Sequence, residues 1–399
     1  MRVVGTRAFG LRAPIIRESD DLAAIVCQSV KDAVEHEKIV INDGDIIGIT
    51  EAVVARSQGN YANLDQIAAD VKASFNGGHV GVVFPILSRN RFAMLLKGIA
   101  RGAGKVTVML SYPCDEVGNQ LISWDDVDDK RLNPYSDCLS ETEFRRLFGN
   151  EVKHRFTGVD YVSYYKSLGE NIDIILCSDP KRILEYTDLV IAADIHTRIR
   201  TKRALSGAGA QLKQCAKKVI GLDDLLTKSV NGSGYNEQYG LLGSNKATEE
   251  RVKLFPRDCD AFVRKMQTAL RELSGKNVEV LVYGDGGFKD PVGGIWELAD
   301  PVVSPAFTSG LKGTPNELKL KYLADNNFAG LSGDDARRAI EKAIQAKAGV
   351  DQKGMMESEG TTPRRFTDLL GSLCDLVSGS GDKGTPIILI QGYFDNYAS

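Results

Sequence analysis

The stretch VLVYGDGGFKD, residues 280–290, carries the most chemistry in this chain of 399 residues. An apolar run ends in Asp285, which sits among Gly284, Gly286 and Gly287. In α/β proteins, ligands collect outside the carboxyl ends of strands. Glycines there let backbone N–H groups approach a phosphate closely. Asp285 offers a hard oxygen suited to a divalent metal, and Lys289 offers a cation for phosphate. A tight turn with a solvated aspartate fits the same residues.

Other stretches offer weaker chemistry. NGSGYNEQYGLLGSN (231–245) is polar and too long for a simple turn, so it is a mobile surface loop or a ligand loop. IHTRIRTKR clusters Arg198, Arg200, Lys202 and Arg203, either as a solvated helix face or as a funnel for an anionic substrate. Ser178-Asp179-Pro180 and Ala193–His196 place acids at strand ends, and His196 is available for acid–base work. The four histidines, at 36, 79, 154 and 196, are dispersed, which argues against a zinc hydrolase. No nucleophile elbow, Walker lysine loop or dinucleotide fingerprint is present.

These residues need elements to position them. ESDDLAAIVCQSVKDAVEHE reads as an amphipathic helix with Ser19 as N-cap. Strands are expected around Ile39–Ile41 and Asp45–Thr50, then a helix near Leu64–Val71 and a buried strand VGVVF. A helix opened by Ser88 turns Phe92, Leu95, Leu96 and Ile99 inward, ahead of the strand KVTVMLSYP. From about Cys114 to Asp160 the pattern weakens into polar sequence with one short helix near ETEFRRLFG. IDIILCSDP and DLVIAADIHTR restore the strand pattern. RDCDAFVRKMQTALRELSG is a helix with Phe262, Met266, Leu270 and Leu273 inward and Gly275 as its stop. Polar helices follow near Asn316–Asp325 and Asp334–Ala348, and then a helix, a glycine-rich turn and the strand PIILIQG. The whole reads as mixed α/β.

Bulk properties narrow the class. Hydrophobic residues at 43% allow a real core, and the length suits two or three domains. A net charge of -3 argues against a dedicated nucleic-acid binder. There is no run long enough for a membrane helix and no signal-peptide core. Seven dispersed cysteines without a CxxC pair suit a reducing cytoplasm.

Taken together, several stretches resemble the coenzyme F-420:gamma-glutamyl ligase family. DDLAAIV and GDIIGITEAVVARSQGN are similar to its first module. GLLGSN (240–245), LFPRDCDA (254–261) and GDGGFKDPVGG (284–294) are similar to its middle module. DQKGMM (351–356), TDLLGSLCDLVSG (367–379) and PIILIQG (386–392) are similar to its third. The resemblance implies a gamma-glutamyl-ligase-like mixed-sheet fold with an enlarged middle insertion. Residues 1–85 and 230–399 would form the core and 86–229 the elaboration. It implies a homodimer, GTP as co-substrate, and Mg2+ or Mn2+, with K+ a further candidate ion. It implies that L-glutamate is joined to the carboxylate of an F-420-0-like small-molecule acid through an acyl phosphate.

Carried over by position, Asp285 and Asp368 match metal ligands. Leu242 stands where the family has a metal-binding Asp, and Glu237 or Asn236 could substitute from the same loop. Thr50, Arg56, Ser57, Gly59, Ser244, Asn245, Gly286, Gly287 and Lys289 are the implied nucleotide-binding residues. Gly286 replaces the family's Thr, Gln58 its Glu and Asn60 its Arg. Two other functions stay open: a ligase acting on a folate- or pterin-like acid, and a non-catalytic nucleotide- or metabolite-binding protein.

Overall fold

A computed structural model of the chain describes residues 3–207, 215–347, 351–352, 354–358, 364–378 and 382–398. Of the stretches singled out above, Ala348, Lys353 and Gly379 lie outside the described residues. The fold is mixed α/β, with three sheets among the described residues.

The five-stranded sheet gathers the three sequence modules. Its order is Arg7–Leu11, Ile387–Gln391, Ile46–Thr50, Glu279–Tyr283 and Ala306–Phe307. Ile46–Thr50 and Glu279–Tyr283 run parallel, and the other pairs are antiparallel. Apolar side chains cover both faces, so the central strands read as continuous hydrophobic runs. One face carries the helices Leu22–Glu37 and Cys259–Ser274, and the other carries Phe366–Ser378. Gly48 is explained at this second face. A Cβ there would overlap Cys374 Sγ of the covering helix and crowd the Tyr283 ring.

The six-stranded sheet has the order Leu139–Ser140, Ile172–Leu176, Lys105–Leu110, His79–Val83, Leu189–Ala192 and Lys218–Gly221. All neighbours are parallel except the Leu139–Ser140 edge. Numbered along the chain, the five parallel strands stand in the order 3-2-1-4-5, a doubly wound arrangement. Val80, Val82, Val106, Val108 and Ile174 face one apolar cluster; Val83, Met109, Ile175 and Val190 face another. The helices Leu64–Phe75 and Phe92–Gly102 pack so closely that a Cβ on Gly98 would collide with Ile67. A third, antiparallel sheet joins Tyr61–Asn63, Arg251–Lys253 and Asn245–Thr248.

Several local expectations are corrected. Ile39–Ile41 is not a strand, because side chains satisfy its neighbourhood: Gln391 Nε2 donates to Val40 O at 2.9 Å, and Asn42 N donates to Asp45 Oδ2 at 2.8 Å. Ser19 adopts a φ of 69°, and Asp21 caps the helix instead, accepting from Ala23 N and Ala24 N. Leu273 is exposed, because the buried stripe of its helix ends at Leu270. The helix expected at Asn316–Asp325 is a short turn, Leu320–Tyr322, running into a wider one at Leu323–Asn327.

Gly48→Ala should destabilise the protein by about 1–3 kcal/mol, the usual cost of overfilling a packed core. Urea unfolding checks it. Adding Cys374→Ala removes the overlapping sulfur, so the double variant should recover part of the loss.

Candidate active site

The parallel pairing of Ile46–Thr50 with Glu279–Tyr283 aligns Thr50 with Tyr283. Helix Glu51–Ser57 and the glycine loop after Tyr283 therefore leave from the same end of the sheet. At that end stands a cluster of charges that are distant in sequence. Arg91 donates to Asp300 Oδ1 at 2.7 Å and to Asp285 Oδ2 at 2.8 Å. Asp285 N donates to Asp300 Oδ2 at 2.8 Å, and a Cβ on Gly284 would strike that same oxygen. Gly286 N donates to Asp375 Oδ2 and Gly287 N to Ser372 Oγ, both at 2.9 Å. Glu297 stands at the solvent edge, and its carboxylate makes no hydrogen bond or ion pair among the described residues. Alongside, Lys253 Nζ holds both oxygens of Glu51 at 2.6 and 2.7 Å, with both residues buried.

The polar stretch after Cys114 positions Arg91. Asp115, fully enclosed, accepts from Leu87 N at 2.8 Å and from Val117 N and Asn119 N. Tyr165 Oη donates to Ile86 O and accepts from Ser88 N. Ser88 Oγ then accepts from Arg91 N at 3.1 Å. The loop before the Phe92–Gly102 helix is thereby held by groups from two distant segments.

Five carboxylates share this region with two cations, and the imbalance sets the electrostatics. Burial and the Asp300 charge push the Asp285 carboxyl up to about 8, against the opposing pull of Arg91. Burial raises Asp375 and Glu297 as well, with neighbouring carboxylates adding to it. Burial lowers the Arg91 pKa, but Asp300 and Asp285 raise it by more, so its charge is secure. Carboxylate oxygens in charge excess are the donor chemistry of a hard divalent cation. As they stand, no three Asp, Glu, His or Cys side chains among the described residues form a metal-holding group, and Arg91 ties Asp285 to Asp300 instead.

The residues anticipated from sequence fall into separate places. Asp285, Gly286 and Gly287 lie in the cluster. Ser244, buried with an unpartnered Oγ, shares a small cavity with Arg91 and Leu242. Thr50 and Arg56 line a different cavity of 390 Å³ with Tyr283 and Thr385. Thr50 also caps the Glu51–Ser57 helix, Ser57 Oγ donates to Val54 O, and Gly59 takes a φ of 61° beside Glu18. Asn245 begins a strand paired with Lys253. Lys289 is exposed, over the Trp296 ring. Asp368 pairs with Arg365 within its own helical turn, and Glu237 is exposed.

Gln58 and Asn60 are structural ties. Gln58 exchanges two hydrogen bonds with the Arg257 backbone; Asn60 donates to Tyr235 O and Phe255 O and accepts from Tyr235 N. Arg91, Asp300, Glu297 and Asp375 went unrecognised in the sequence. Asp375 lies within TDLLGSLCDLVSG, seven residues beyond Asp368 on one helix, and Glu297 and Asp300 lie three and six residues past GDGGFKDPVGG.

A cluster of acids beside a glycine loop, at the carboxyl end of two parallel strands, places this chain among mixed α/β proteins with charged groups gathered where such folds bind ligands. The family model for F-420-0:gamma-glutamyl ligase matches residues 10–392, and the chain belongs to that family. Its coarse functional class is therefore gamma-glutamyl ligation in coenzyme F-420 biosynthesis. A search of curated proteins returned no match. No described helix is long and apolar enough to cross a membrane.

The Asp285 carboxyl rises on folding from 3.8 to about 8, so the native state keeps a proton that the unfolded chain releases. Its contribution to stability is full below about pH 4 and is lost as pH rises through about 8. Measured against Asp285→Asn, the wild type should therefore lose relative stability between those values. Urea titrations at several pH values test this. A difference independent of pH would mean that Asp285 is ionised throughout.

Proposed function

We propose that the chain is a GTP- and metal-dependent amide ligase. It joins the amine of L-glutamate to the carboxylate of an F-420-0-like acid through an acyl phosphate. The family supports the reaction class, and the cluster around Asp285 is the observation that carries the chemistry. A carboxylate is a poor electrophile, so it needs activation before an amine can attack. Asp285, Glu297 and Asp375 would hold the divalent cation, which when bound neutralises nucleotide phosphates.

Arg91 has a second task in this reading. It holds Asp285 at 2.8 Å, and with Asp285 on a metal the guanidinium nitrogen facing it would be available to an anionic reactant while Asp300 keeps the other. Glu51 and Lys253, buried beside the cluster, neutralise each other. Asp300, on the segment that packs against Gly243 through Pro301, supplies an acid beside the position where Leu242 replaces the family's ligand. The N–H groups of Gly286 and Gly287 meet a phosphate once Asp375 and Ser372 release them.

The assay is phosphate release by purified protein with GTP or ATP, magnesium or manganese, L-glutamate and a panel of acids. Release that needs both an acid and an amine is the expected result. F-420-0 as the best acid supports the family substrate, and a pterin-like acid redirects it. Nucleotide binding without turnover leaves a binding protein only. Asp285→Ala should weaken metal-dependent nucleotide binding by at least about 100-fold, the upper end of what loss of even an outer-shell partner costs. Circular dichroism should show the fold intact, and unchanged metal affinity would sink the assignment.

A further inference from the structure

The doubly wound sheet has its own switch point, away from the Asp285 cluster. From His79–Val83 the chain steps to Lys105–Leu110 and Ile172–Leu176 on one side, then crosses back to Leu189–Ala192 on the other, so the strand order reverses at His79–Val83. A crevice opens at the carboxyl ends of such strands, and ligands of doubly wound proteins bind in it. A cavity of 290 Å³ lies there, at the small end of the roughly 300–1,000 Å³ typical of ligand sites. Its wall comes from Phe84, just past the first strand, from Ser178 and Lys181 past Ile172–Leu176, and from Thr197, Arg200 and Thr201 past Leu189–Ala192.

The groups in this wall have distinct chemistry. Lys181 and Arg200 are exposed, and neither side chain makes an ion pair or hydrogen bond among the described residues. Asp179, also in the wall, turns its carboxylate to Lys181 N. Thr197 and Thr201 donate their hydroxyl protons to Asp194 Oδ2 at 2.6 and 2.7 Å, which leaves their oxygens as acceptors. Glu116 fills the N-terminus of the Arg198–Leu205 helix, accepting from His196 N and Thr197 N, so an anion here depends on side-chain cations. Phe84 contributes an apolar ring and holds a φ of 57°, a left-handed conformation costly for a bulky residue and frequent at ligand sites.

We infer that this cavity is a second ligand site, for a phosphomonoester of mononucleotide or sugar-phosphate size. The phosphate, carrying close to two negative charges at neutral pH, answers the two unpaired cations. Sugar hydroxyls donate to the threonine oxygens, and an apolar ring face lies on Phe84. Nothing in this assignment depends on the ligase reading, because none of these residues belongs to the Asp285 cluster.

Calorimetry in EDTA tests it, since the chelator silences metal-dependent nucleotide binding elsewhere. The probes are AMP, ribose 5-phosphate and adenosine. Wild type and Asp285→Asn should both bind a phosphorylated probe and not adenosine. The Lys181→Ala/Arg200→Ala double variant should lose at least about tenfold in affinity, from two charge-assisted hydrogen bonds. Its melting temperature should be unchanged, because both side chains are exposed. The proposal is overturned by no binding of either phosphorylated probe, by equal binding of adenosine, or by undiminished binding by the double variant. Loss of binding in Asp285→Asn alone moves the site to the other cleft and also overturns it.

Discussion

The bond between Arg91 and the paired carboxylates of Asp285 and Asp300 is the constraint on which the arrangement of the two large sheets depends. Arg91 enters from the doubly wound half; its partners lie 194 and 209 residues further along, past the strand Glu279–Tyr283 of the other sheet. Its side chain is only 13% exposed and that of Asp300 1%, so neither charge has water to fall back on. A buried pair of this kind adds little net stability, but losing one partner costs several kcal/mol. It therefore works as a position lock. The Glu51–Lys253 pair repeats the device beside it, fixing the start of one helix to the three-stranded sheet across 202 residues.

The same acids serve two ends. Holding a guanidinium requires carboxylates packed closely in low dielectric, and packing them closely makes one reluctant to ionise. That reluctance is what a metal ion would relieve. The position lock and the raised carboxyl thus draw on a single charge imbalance.

Much of the framework was legible in the sequence because it rests on local periodicity. VGVVF falls on the buried strand His79–Val83, with Phe84 just past its end, and Gly275 ends its helix with a φ of 69°. Asp285 declared itself by standing in a glycine loop after an apolar strand. Ser19 and Ile39–Ile41 misled because side chains from elsewhere, Asp21 and Gln391, took the backbone roles that propensity assigned. Arg91, Asp300 and Glu297 were illegible for another reason. Each is an ordinary polar residue locally, and its significance comes from partners brought close only by the tertiary fold. The polar run from Cys114 to Asp160 reads as loose connection, yet its Asp115, with Tyr165 just beyond it, props the loop that carries Arg91.

The five-stranded sheet places Ile387–Gln391 between Arg7–Leu11 and Ile46–Thr50. A strand from the end of the chain is thus wedged between the first two. During synthesis those early strands leave the ribosome with facing edges and nothing to join them, while the doubly wound sheet, complete by Gly221, has every neighbour it needs. The middle of the protein can become compact while its beginning still waits. Contacts this distant in sequence close slowly and leave sticky edges bare meanwhile. A ribosome that stalls before residue 387 would release a chain with a finished interior module and an open seam, a natural substrate for chaperones.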